Sequence, residues 1–513
     1  MGGLRAGLCA AVLVGALAFA APAAAADFTV NSAADSGPES LRAAIEGVNG
    51  SAGPHTITIT TEGPITLTSA LPSIAEDVEI TGHANHTTVT RSFTAPAFGI
   101  FEIADGATVS MEDLNVTGGL TNALGGAGIT NYGNLTLIDV TVADNVADGG
   151  GATLASAIFH HGFNSGGSLT MRSSRIINNK AVGPGARAMN STGALNIYDS
   201  TFSGNVGGIG TLSAGGGVVH IEGSTFSGSF TTGEVVAVIV GAVENTTISG
   251  NTANTAFATG LGSTTLRSVT VAGNDVDVGV LAGNGATLTM INSLVAENDG
   301  ADNVRAAPGF PPFIAPGTFI SGGHNLSDGP DADELDQPTD IVDTDPQLRL
   351  LADNGGPTKT HVLLPTSPAI DAGIADGLAT DQRGGARPVD QPQVQNATGG
   401  DGTDIGAVEL GLDGSIPPRP VPDNGGGDPG TPAPVTPDPV VPASRKDCDI
   451  VGTPGDDVLV GTDEAEVICG FGGDDRLRGG GGNDVLLGGK GTDRIHGGPG
   501  DDRLRGGGGK DRL

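Results

Sequence analysis

Seven acidic side chains recur at nine-residue intervals near the end of the chain. Each occupies the sixth position of the pattern Gly-Gly-x-Gly-x-Asp-x-U-x, in which U is a large aliphatic residue. The seven acids are Asp457, Glu466, Asp475, Asp484, Asp493, Asp502 and Asp511. Carboxylate oxygens, together with carbonyl oxygens exposed by tight glycine turns, are the hard ligands that calcium prefers. The spacing therefore predicts that these seven residues bind Ca2+ ions.

An aliphatic residue follows each acid by two positions. These residues are Leu459, Ile468, Leu477, Leu486, Ile495, Leu504 and Leu513. The pattern resembles the RTX (hemolysin-type) calcium-binding repeat, which implies a β-roll in which two nonapeptides form one turn. Copy n then stacks on copy n+2, and each ion is shared by two acids, which gives about five sites. The copy containing Glu466 is the most degenerate, so its site is expected to be the weakest.

A disordered glycine-rich tail is the alternative interpretation of residues 448–513. It is disfavoured, because disorder does not require an acid and an aliphatic residue to keep the same phase through seven copies. Cys448 and Cys469 bracket the start of the repeats. In an exported chain we expect them to form a disulfide rather than remain two free thiols. Closing this loop of about 20 residues would contribute roughly 3 kcal/mol.

The first 26 residues have the composition of a secretory signal peptide. Arg5 provides a positive start, residues 8–19 are apolar, and Ala24 to Ala26 supply the small residues of a cleavage site. We therefore expect a secreted, extracellular protein, with association to the cell surface left open. No other apolar run is long enough to span a bilayer. The net charge of −34 disfavours nucleic acid and anionic lipid as partners.

A looser repeat fills residues 105–304. Eight segments end at anchor residues that are mostly Asn, spaced 22 to 34 residues apart: Gly119, Asn145, Asn179, Asn205, Ser229, Asn251, Asn274 and Asn298. The residues three and eight positions before every anchor are apolar. Alternation at period two predicts three short strands per segment. With 87 glycines and only 3% aromatic residues, the chain is predicted to be all-β: a right-handed parallel β-helix, a pectin-lyase-like solenoid.

The anchor residues are predicted to lie at turns. Asn tolerates a left-handed conformation there, and its amide can bond to the next rung. Residues 27–104 are assigned to an N-terminal cap and the first coils. Within them, the segment from Ser36 to Glu39 predicts a helix start, because of its capping-box spacing and Pro38. The helical face that would plug the end of the solenoid is Leu41, Ala44, Ile45 and Val48.

Residues 305–412 are irregular and rich in Pro, Gly and Asp. Several short motifs in this region resemble those of bacterial choice-of-anchor Q proteins. The motifs are Gly322-Gly-His-Asn-Leu326, Asp345-Pro346, Asp353-Asn-Gly-Gly-Pro-Thr358, Ser367-Pro-Ala-Ile-Asp-Ala-Gly373, Asp381-Gln-Arg-Gly384 and Asp404-Ile-Gly-Ala-Val-Glu409. Ser40 to Ile45 is similar to the CSLREA segment that opens such chains, although Glu39 and Ala43 depart from it. This resemblance implies a secreted β-helix and no defined activity. Residues 413–447 form a Pro/Gly-rich linker to the β-roll at 448–513.

Catalytic groups are scarce on the predicted β-helix. Residues 27–300 contain a single lysine, Lys180, and six arginines, which disfavours cleavage of polyuronates. Asp113 and Asp139 could meet on successive rungs as the paired carboxylates of a hydrolase. Their column, six before each anchor, contains mainly Asp, Asn, Ser and Gly, which is more typical of a turn ladder. The pair His160-His161 is assigned to a loop or rung edge, since no third metal ligand is evident.

Four charged residues of the irregular region are predicted to form a buried ion network that closes the C-terminal end of the helix. They are Asp371, Asp381, Arg383 and Asp404. Taken together, the sequence predicts a non-enzymatic, calcium-binding β-solenoid that acts in adhesion or matrix interaction, with glycans or proteins of the cell surface or matrix as partners. The alternative is a glycan-active hydrolase or lyase on the β-helix.

Overall fold

A computed structural model describes residues 25–122, 125–149, 154–162, 166–183, 185–300, 302–309 and 315–411. In the C-terminal coil it describes 450–451, 458–460, 466–473, 475–479, 484–497 and 503–510. The predicted signal peptide, apart from its last two residues, and the predicted linker lie outside these ranges. Apart from one helix, the described elements are strands, paired in long parallel sheets. Within these ranges, no helix has the length and apolarity needed to cross a membrane.

Three parallel sheets run along the β-helix, and each rung contributes to them in turn. The first sheet has 12 strands: Asp27–Val30, His55–Ile59, Val78–Thr81, Thr108–Glu112, Asn134–Ile138, Ser168–Arg172, Ala194–Tyr198, Val219–Glu222, Gly241–Glu244, Ser263–Arg267, Thr287–Ile291 and Thr318–Ser321. The third sheet has 11: Ile65–Leu67, Thr87–Arg91, Leu114–Thr117, Thr141–Ala143, Arg175–Ile177, Thr201–Ser203, Thr225–Ser227, Thr247–Ser249, Thr270–Ala272, Leu294–Ala296 and Leu326–Ser327.

The second sheet has 15 strands, because two short strands of one rung often lie in it. They are Phe101–Ile103, Leu120–Thr121, Gly125–Gly126, Ile129–Asn131, Val146–Asp148, Leu154–His160, Lys180–Val182, Arg187–Ser191, Val206–Gly207, Gly210–Ala214, Phe230–Thr231, Glu234–Val238, Thr252–Thr259, Asp275–Ala282 and Asp302–Ala306. The chain is therefore a parallel β-helix, as the repeat of residues 105–304 predicted.

The predicted apolar columns are confirmed residue by residue. The column three before the anchors pairs in consecutive rungs of the third sheet: Val116, Val142, Ile176, Phe202, Phe226, Ile248, Val271 and Val295. The column eight before the anchors does the same in the first sheet: Met111, Leu137, Met171, Ile197, Ile221, Val243, Leu266 and Met290. All sixteen side chains are buried, so like residues stack on like and fill the solenoid interior.

The anchor column forms a buried amide ladder, as predicted. The side-chain amide of Asn145 donates to Asn179 at 3.0 Å, and that of Asn251 donates to Asn274 at 2.9 Å. The predicted left-handed conformation was assigned one residue too late. It belongs to the residue before each anchor, for example Asp144 (φ 54°). The anchor itself turns inward, which lets its amide reach the neighbouring rung.

One helix, Leu41–Asn49, covers the N-terminal end. Its predicted face is confirmed: Leu41, Ala44, Ile45 and Val48 are buried. The predicted start at Ser36 is wrong by four residues, because Ser40 is the N-cap and its hydroxyl accepts the Ala43 N–H at 3.2 Å. The helix contacts the first two strands of the first sheet, so it shields the exposed apolar interior of the first rung.

The predicted ion network does not close the C-terminal end of the solenoid. The segment of the irregular region that carries it lies along the side of the solenoid instead, across the outer face of the third sheet. Its contacts include Thr225 Oγ1 with the Lys359 carbonyl at 2.6 Å, Thr247 Oγ1 with Gln382 at 2.6 Å, and Ser249 Oγ with His361 at 2.8 Å. Hydroxyl groups on the outer face of these strands therefore form hydrogen bonds with polar groups of the irregular region. At the end of the core, buried Leu335 joins the interior cluster.

The C-terminal coil has two small parallel sheets. One contains Ile450–Val451, Val467–Gly472, Val485–Lys490 and Arg503–Gly508, and the other contains Val458–Val460, Arg476–Arg478 and Arg494–His496. Ile468 pairs with Leu486, and Leu477 pairs with Ile495, each 18 residues apart. Copy n therefore stacks on copy n+2, as predicted. The strand at Ile450 lies within the β-roll predicted at 448–513 and pairs with the strand that contains Ile468.

Candidate functional site

Four of the seven predicted calcium ligands lie within the described residues. Asp475, Asp484 and Asp493 are buried, with at most 1% of each residue exposed, whereas Glu466 is partly exposed. Asp457, Asp502, Asp511 and Cys448 lie outside the described residues. Cys469 is disulfide-bonded, but its pairing with Cys448 stays a prediction. Three carboxylates are thus held inside a coil whose core is thin.

Two of the three buried carboxylates, Asp484 and Asp493, are oriented by the copy on which they stack. The backbone N–H of Glu466 donates to Asp484 Oδ1 at 3.0 Å, and that of Asp475 donates to Asp493 Oδ1 at 2.8 Å. Both bonds join position-six residues that are 18 residues apart in sequence. One oxygen of Asp484 and one of Asp493 are therefore fixed by the backbone, and this orients the second oxygen of each.

The second carboxylate oxygen faces the glycine that opens its own copy. A Cβ atom on Gly470 would collide with Asp475 Oδ2 and with the carbonyl oxygen of Gly488. The same arrangement recurs at Gly479, with Asp484 Oδ2 and the Gly497 carbonyl, and at Gly488, with Asp493 Oδ2 and the Gly506 carbonyl. Only glycine lets a carboxylate and a carbonyl of the next turn approach so closely. An all-oxygen donor set of this kind fits Ca2+.

The predicted buried ion network exists, but it is larger than the sequence indicated. Arg383 NH2 lies 2.7 Å from Asp381 Oδ2, and both side chains are almost fully buried. Arg387 Nε lies 3.2 Å from Glu409 Oε1, with both side chains fully buried. Arg387 and Glu409 were not predicted as members of the network, although Glu409 ends the motif that begins at Asp404. The network fastens the irregular region to the β-helix, since Arg387 NH1 also donates to Ser268 Oγ at 2.7 Å.

Two carboxyl groups of this network have pKa values above the ordinary range. Burial raises the pKa of Asp404 to about 7 and that of Glu409 to about 8. Arg387 opposes both shifts, whereas the carboxylate of Asp371 adds to the shift of Asp404 and that of Asp404 adds to the shift of Glu409. Burial lowers the pKa of His160 and His361, so both of these imidazoles are kept neutral.

Stability of the β-helix is expected to fall as pH rises from about 6.5 to about 8.5. In this window the folded chain retains protons on Asp404 and Glu409 that the unfolded chain has already released. The neutral histidines act in the opposite direction at the lower edge of this window, because the imidazoles of the unfolded chain release their protons near pH 6.5. Urea unfolding of residues 27–411 in chelator should show that the free energy of unfolding falls by about 1–3 kcal/mol across this pH range. Glu409→Gln should make the free energy of unfolding less dependent on pH. A free energy of unfolding that rises with pH would contradict the raised pKa values of Asp404 and Glu409.

The carboxylate pair Asp113 and Asp139 is brought together with a histidine that the sequence analysis did not single out. His86 Nε2 lies 4.0 Å from Asp113 and 3.3 Å from Asp139, and Arg175 lies 3.6 Å from Asp139. The whole column six before the anchors is left-handed, with φ between 43° and 64°. The turn-ladder interpretation is therefore confirmed for its backbone, and the acids are partly exposed and balanced by basic neighbours.

Of the pair His160-His161, the first residue lies in the interior and the second is partly exposed. His160 is fully buried and its Nδ1 lies 3.0 Å from the Asn131 amide nitrogen. His161 packs against Tyr132 and Phe159. Neither belongs to a cluster of metal-ligating groups among the residues that the structure describes. The rung-edge interpretation is therefore favoured over a metal site.

A second charged group lies on the outer face of the first sheet and was missed by the sequence analysis. His220 lies 3.3 Å from Glu222 and 4.0 Å from Glu244, and Arg267 lies 2.5 Å from Glu244. The hydrogen bond in which the Glu222 carboxylate accepts from the imidazole raises the pKa of His220. Glu222, Glu244 and Arg267 each stand seven residues before an anchor. Scanning the outward-facing columns for charge would have found them.

A family profile described as the RTX calcium-binding nonapeptide repeat (4 copies) matches residues 451–486 and 478–513. The C-terminal coil carries calcium-binding RTX repeats. The profile agrees with the stacked carboxylates and glycine carbonyls of this RTX coil. No curated protein sequence matches the chain.

Similar solved structures are polysaccharide-active enzymes. A crystal structure of pectate lyase Pel9A is 15% identical, with a TM-score of 0.46, covering 75% of this chain and 96% of that chain. The A-module of the mannuronan C-5 epimerase AlgE4 from Azotobacter vinelandii is 14% identical, with a TM-score of 0.26, covering 59% and 91%. The PL6 family alginate lyase AlyGC is 13% identical, with a TM-score of 0.25, covering 93% and 72%. All three scores are below 0.5, so the fold assignment rests on the strand register.

Asp484→Ala is expected to weaken calcium binding by the RTX coil more than Glu466→Ala. Asp484 is buried in the middle of its stack, where it bonds to the copy below, whereas Glu466 is partly exposed in a degenerate copy. A central carboxylate would serve two ions and an end carboxylate only one. Calorimetric titration of the two variants with Ca2+ measures the difference. An equal loss, or a larger loss for Glu466→Ala, would contradict the shared-ion arrangement.

Proposed function

We propose that this chain is an exported β-solenoid that folds its C-terminal coil around calcium and binds molecules outside the cell without transforming them. The observation that carries the proposal is the repeated cradle of carboxylate and glycine carbonyl in the RTX coil. Export is supported by the composition of the first 26 residues and by the RTX repeats, which are typical of secreted proteins. High extracellular calcium would then trigger folding after export.

We assign the calcium ligands to the position-six acids Asp457, Glu466, Asp475, Asp484, Asp493, Asp502 and Asp511, together with glycine carbonyls. In this arrangement a bound ion would supply positive charge to the stacked buried carboxylates. The backbone N–H groups hold one oxygen of Asp484 and Asp493 in place. The absence of a Cβ at Gly470, Gly479 and Gly488 leaves room for the other oxygen. The aliphatic side chains then fill the interior of the coil.

The Cys448–Cys469 disulfide belongs to the same proposal. It would fasten the chain at the entry to the RTX coil, where the additional strand at Ile450 pairs with Ile468. We further propose, from the motifs of residues 28–410, that the β-helix is related to choice-of-anchor Q proteins. Adhesion or matrix interaction is the role that a long, regular outer surface supports.

Polysaccharide cleavage is the second candidate function. It is favoured by the outward-facing group of His220, Glu222 and Glu244, whose ligand atoms all lie within 4.8 Å of one another. Incubation of the mature protein in calcium with plant and microbial polysaccharides separates the two candidates. Binding without any change of the polymer is expected. Release of reducing or unsaturated ends, abolished by Asp139→Ala or Glu222→Gln, would overturn the non-enzymatic proposal.

A further inference from the structure

Three side chains of the metal-binding type meet on the outer face of the first sheet: His220, Glu222 and Glu244. His220 and Glu222 lie two residues apart on the strand Val219–Glu222, so their side chains point to the same face. Glu244 pairs in register with Glu222 from the next strand. One imidazole nitrogen and two carboxylate oxygens of this group all lie within 4.8 Å of one another. Two adjacent strands thus hold an imidazole and two carboxylates at one point of the surface.

The two glutamates lie side by side, although like charges directly opposite one another on neighbouring strands destabilise a sheet. They belong to the outward-facing column seven before the anchors, which consists of Glu112, Ile138, Arg172, Tyr198, Glu222, Glu244, Arg267 and Ile291. Within this column, Glu222 and Glu244 are the one pair of neighbouring acids. A cation bound between the two carboxylates would offset their repulsion.

The distances within the group match those between ligands of one metal ion. His220 Nε2 lies 3.3 Å from Glu222 Oε2 and 4.0 Å from Glu244 Oε2. Both distances exceed the length of a charge-assisted hydrogen bond, which is about 2.7–2.9 Å. Two ligands of a tetrahedral zinc ion, each about 2.0–2.2 Å from the metal, lie roughly 3.4 Å apart. Small shifts of these three partly exposed side chains therefore make room for one ion among them.

Neighbouring residues hold the group in this arrangement. Arg267, on the next strand, lies 2.5 Å from Glu244 Oε1, which leaves the other oxygen, Oε2, to face the imidazole. Asp376 balances the charge of Arg267, since its Oδ2 lies 2.8 Å from Arg267 Nε. Tyr198 packs against the His220 ring, with ring centroids 5.4 Å apart. Partners of this kind fix the orientation of metal ligands.

The types of donor atom select the class of metal. An imidazole nitrogen suits Zn2+ and other divalent transition metals, whereas Ca2+ takes oxygen ligands. Three protein ligands leave at least one coordination position for water. The side chains of His220 and Glu222 are 30% and 39% exposed, so an ion can reach the group from solvent. The group therefore differs in ligands and in place from the carboxylates of the RTX coil.

A second group of similar composition is less suited to bind an ion. It consists of His86, Asp113 and Asp139 on the turn ladder. His86 Nε2 is buried, and the same oxygen of Asp139 that it approaches lies 3.6 Å from Arg175. An ion would have to displace this positive charge and enter a shielded place. The second group therefore provides an internal control for the first.

We propose that His220, Glu222 and Glu244 bind a divalent transition metal ion such as Zn2+, with water in the remaining coordination position. The bound ion joins two neighbouring rungs on the outer face of the β-helix. The inference goes beyond the proposed surface interaction, and it depends neither on that interaction nor on calcium binding by the RTX coil. Metal binding, and no bond cleavage, is assigned to these residues.

The test uses the full mature protein with its RTX coil saturated with calcium. Calorimetric titration with Zn2+ should show a tight site. His220→Ala and Glu244→Gln should each weaken this site by at least about tenfold, because even the loss of a residue that only orients a metal ligand costs about 10–100-fold in affinity. Zn2+ should also raise the unfolding midpoint of the parent protein and leave that of His220→Ala unchanged.

His86→Asn is the matched control. It removes the histidine of the second group and keeps its left-handed turn, since Asn245 holds a position on the same ladder with φ 43°. This variant should bind Zn2+ as the parent protein does, with unfolding midpoints in chelator recorded for every variant. The inference is overturned if the parent protein has no tight Zn2+ site, if the site survives both His220→Ala and Glu244→Gln, or if His86→Asn abolishes it.

Discussion

Residues 448–513 are expected to give the circular dichroism of an unordered chain in chelator and to gain β-sheet signal as calcium is added. The described core of this coil consists of Ile468, Leu477, Leu486 and Ile495, with three partly buried aliphatic residues packed against it. This core is too small to offset the backbone entropy of a glycine-rich segment. Without a cation, the stacked carboxylates would also be buried at a large desolvation cost.

Folding of the RTX coil should be cooperative in calcium. Each turn contributes a carboxylate, and the glycine carbonyl beside it comes from the turn stacked above, so one ion stabilises two turns at once. The midpoint should suit an extracellular module, on the order of 10⁻⁴ to 10⁻³ M. Circular dichroism and calorimetry on the isolated segment measure both quantities. A coil spectrum that persists at about 10 mM calcium, or a complete fold in chelator, would contradict the mechanism.

The β-helix supplies the control for this experiment. Its interior cluster extends from Val30 to Leu335 and consists of aliphatic and aromatic side chains. Residues 27–411 should therefore keep their β-sheet signal in chelator, with an unfolding midpoint unchanged by calcium. A fragment that needs calcium to fold would show that the division between the β-helix and the RTX coil is wrong.

Phe226→Ala is expected to destabilise the β-helix by about 3–5 kcal/mol. Phe226 is fully buried and stacks on Phe202 of the preceding rung, with ring centroids 4.5 Å apart and an interplanar angle of 19°. Removing the ring leaves a cavity that neighbouring rungs cannot fill, because their strands are fixed by hydrogen bonds on both sides. The stack itself contributes about 0.5–1.5 kcal/mol of the loss.

Urea unfolding of residues 27–411 in chelator measures this loss, with Phe93→Ala as the matched control. Phe93 is 94% exposed, so its truncation should change the free energy of unfolding by less than about 0.5 kcal/mol. A loss below about 1 kcal/mol for Phe226→Ala would mean that the interior is not packed as described.

The sequence by itself determined the features that repeat. The apolar columns through Val116 and Met111, the Asn ladder and the n+2 stacking of the RTX coil all follow from identical residue types at regular spacing. In a solenoid each rung contacts only its neighbours, so spacing along the chain translates directly into contacts in space. The apolar face of the N-terminal helix was predictable for the same reason, because helical periodicity is local.

Only the tertiary structure decided where the irregular region lies. Its contacts join residues more than 100 positions apart, such as Thr225 with Lys359 and Asn245 with Thr380. No periodicity records such contacts, so the sequence indicated a buried network but placed it at the end of the solenoid instead of along its side, and omitted Arg387 and Glu409. This placement depends on a segment without repeats that docks across rungs whose own sequence pattern describes only their stacking.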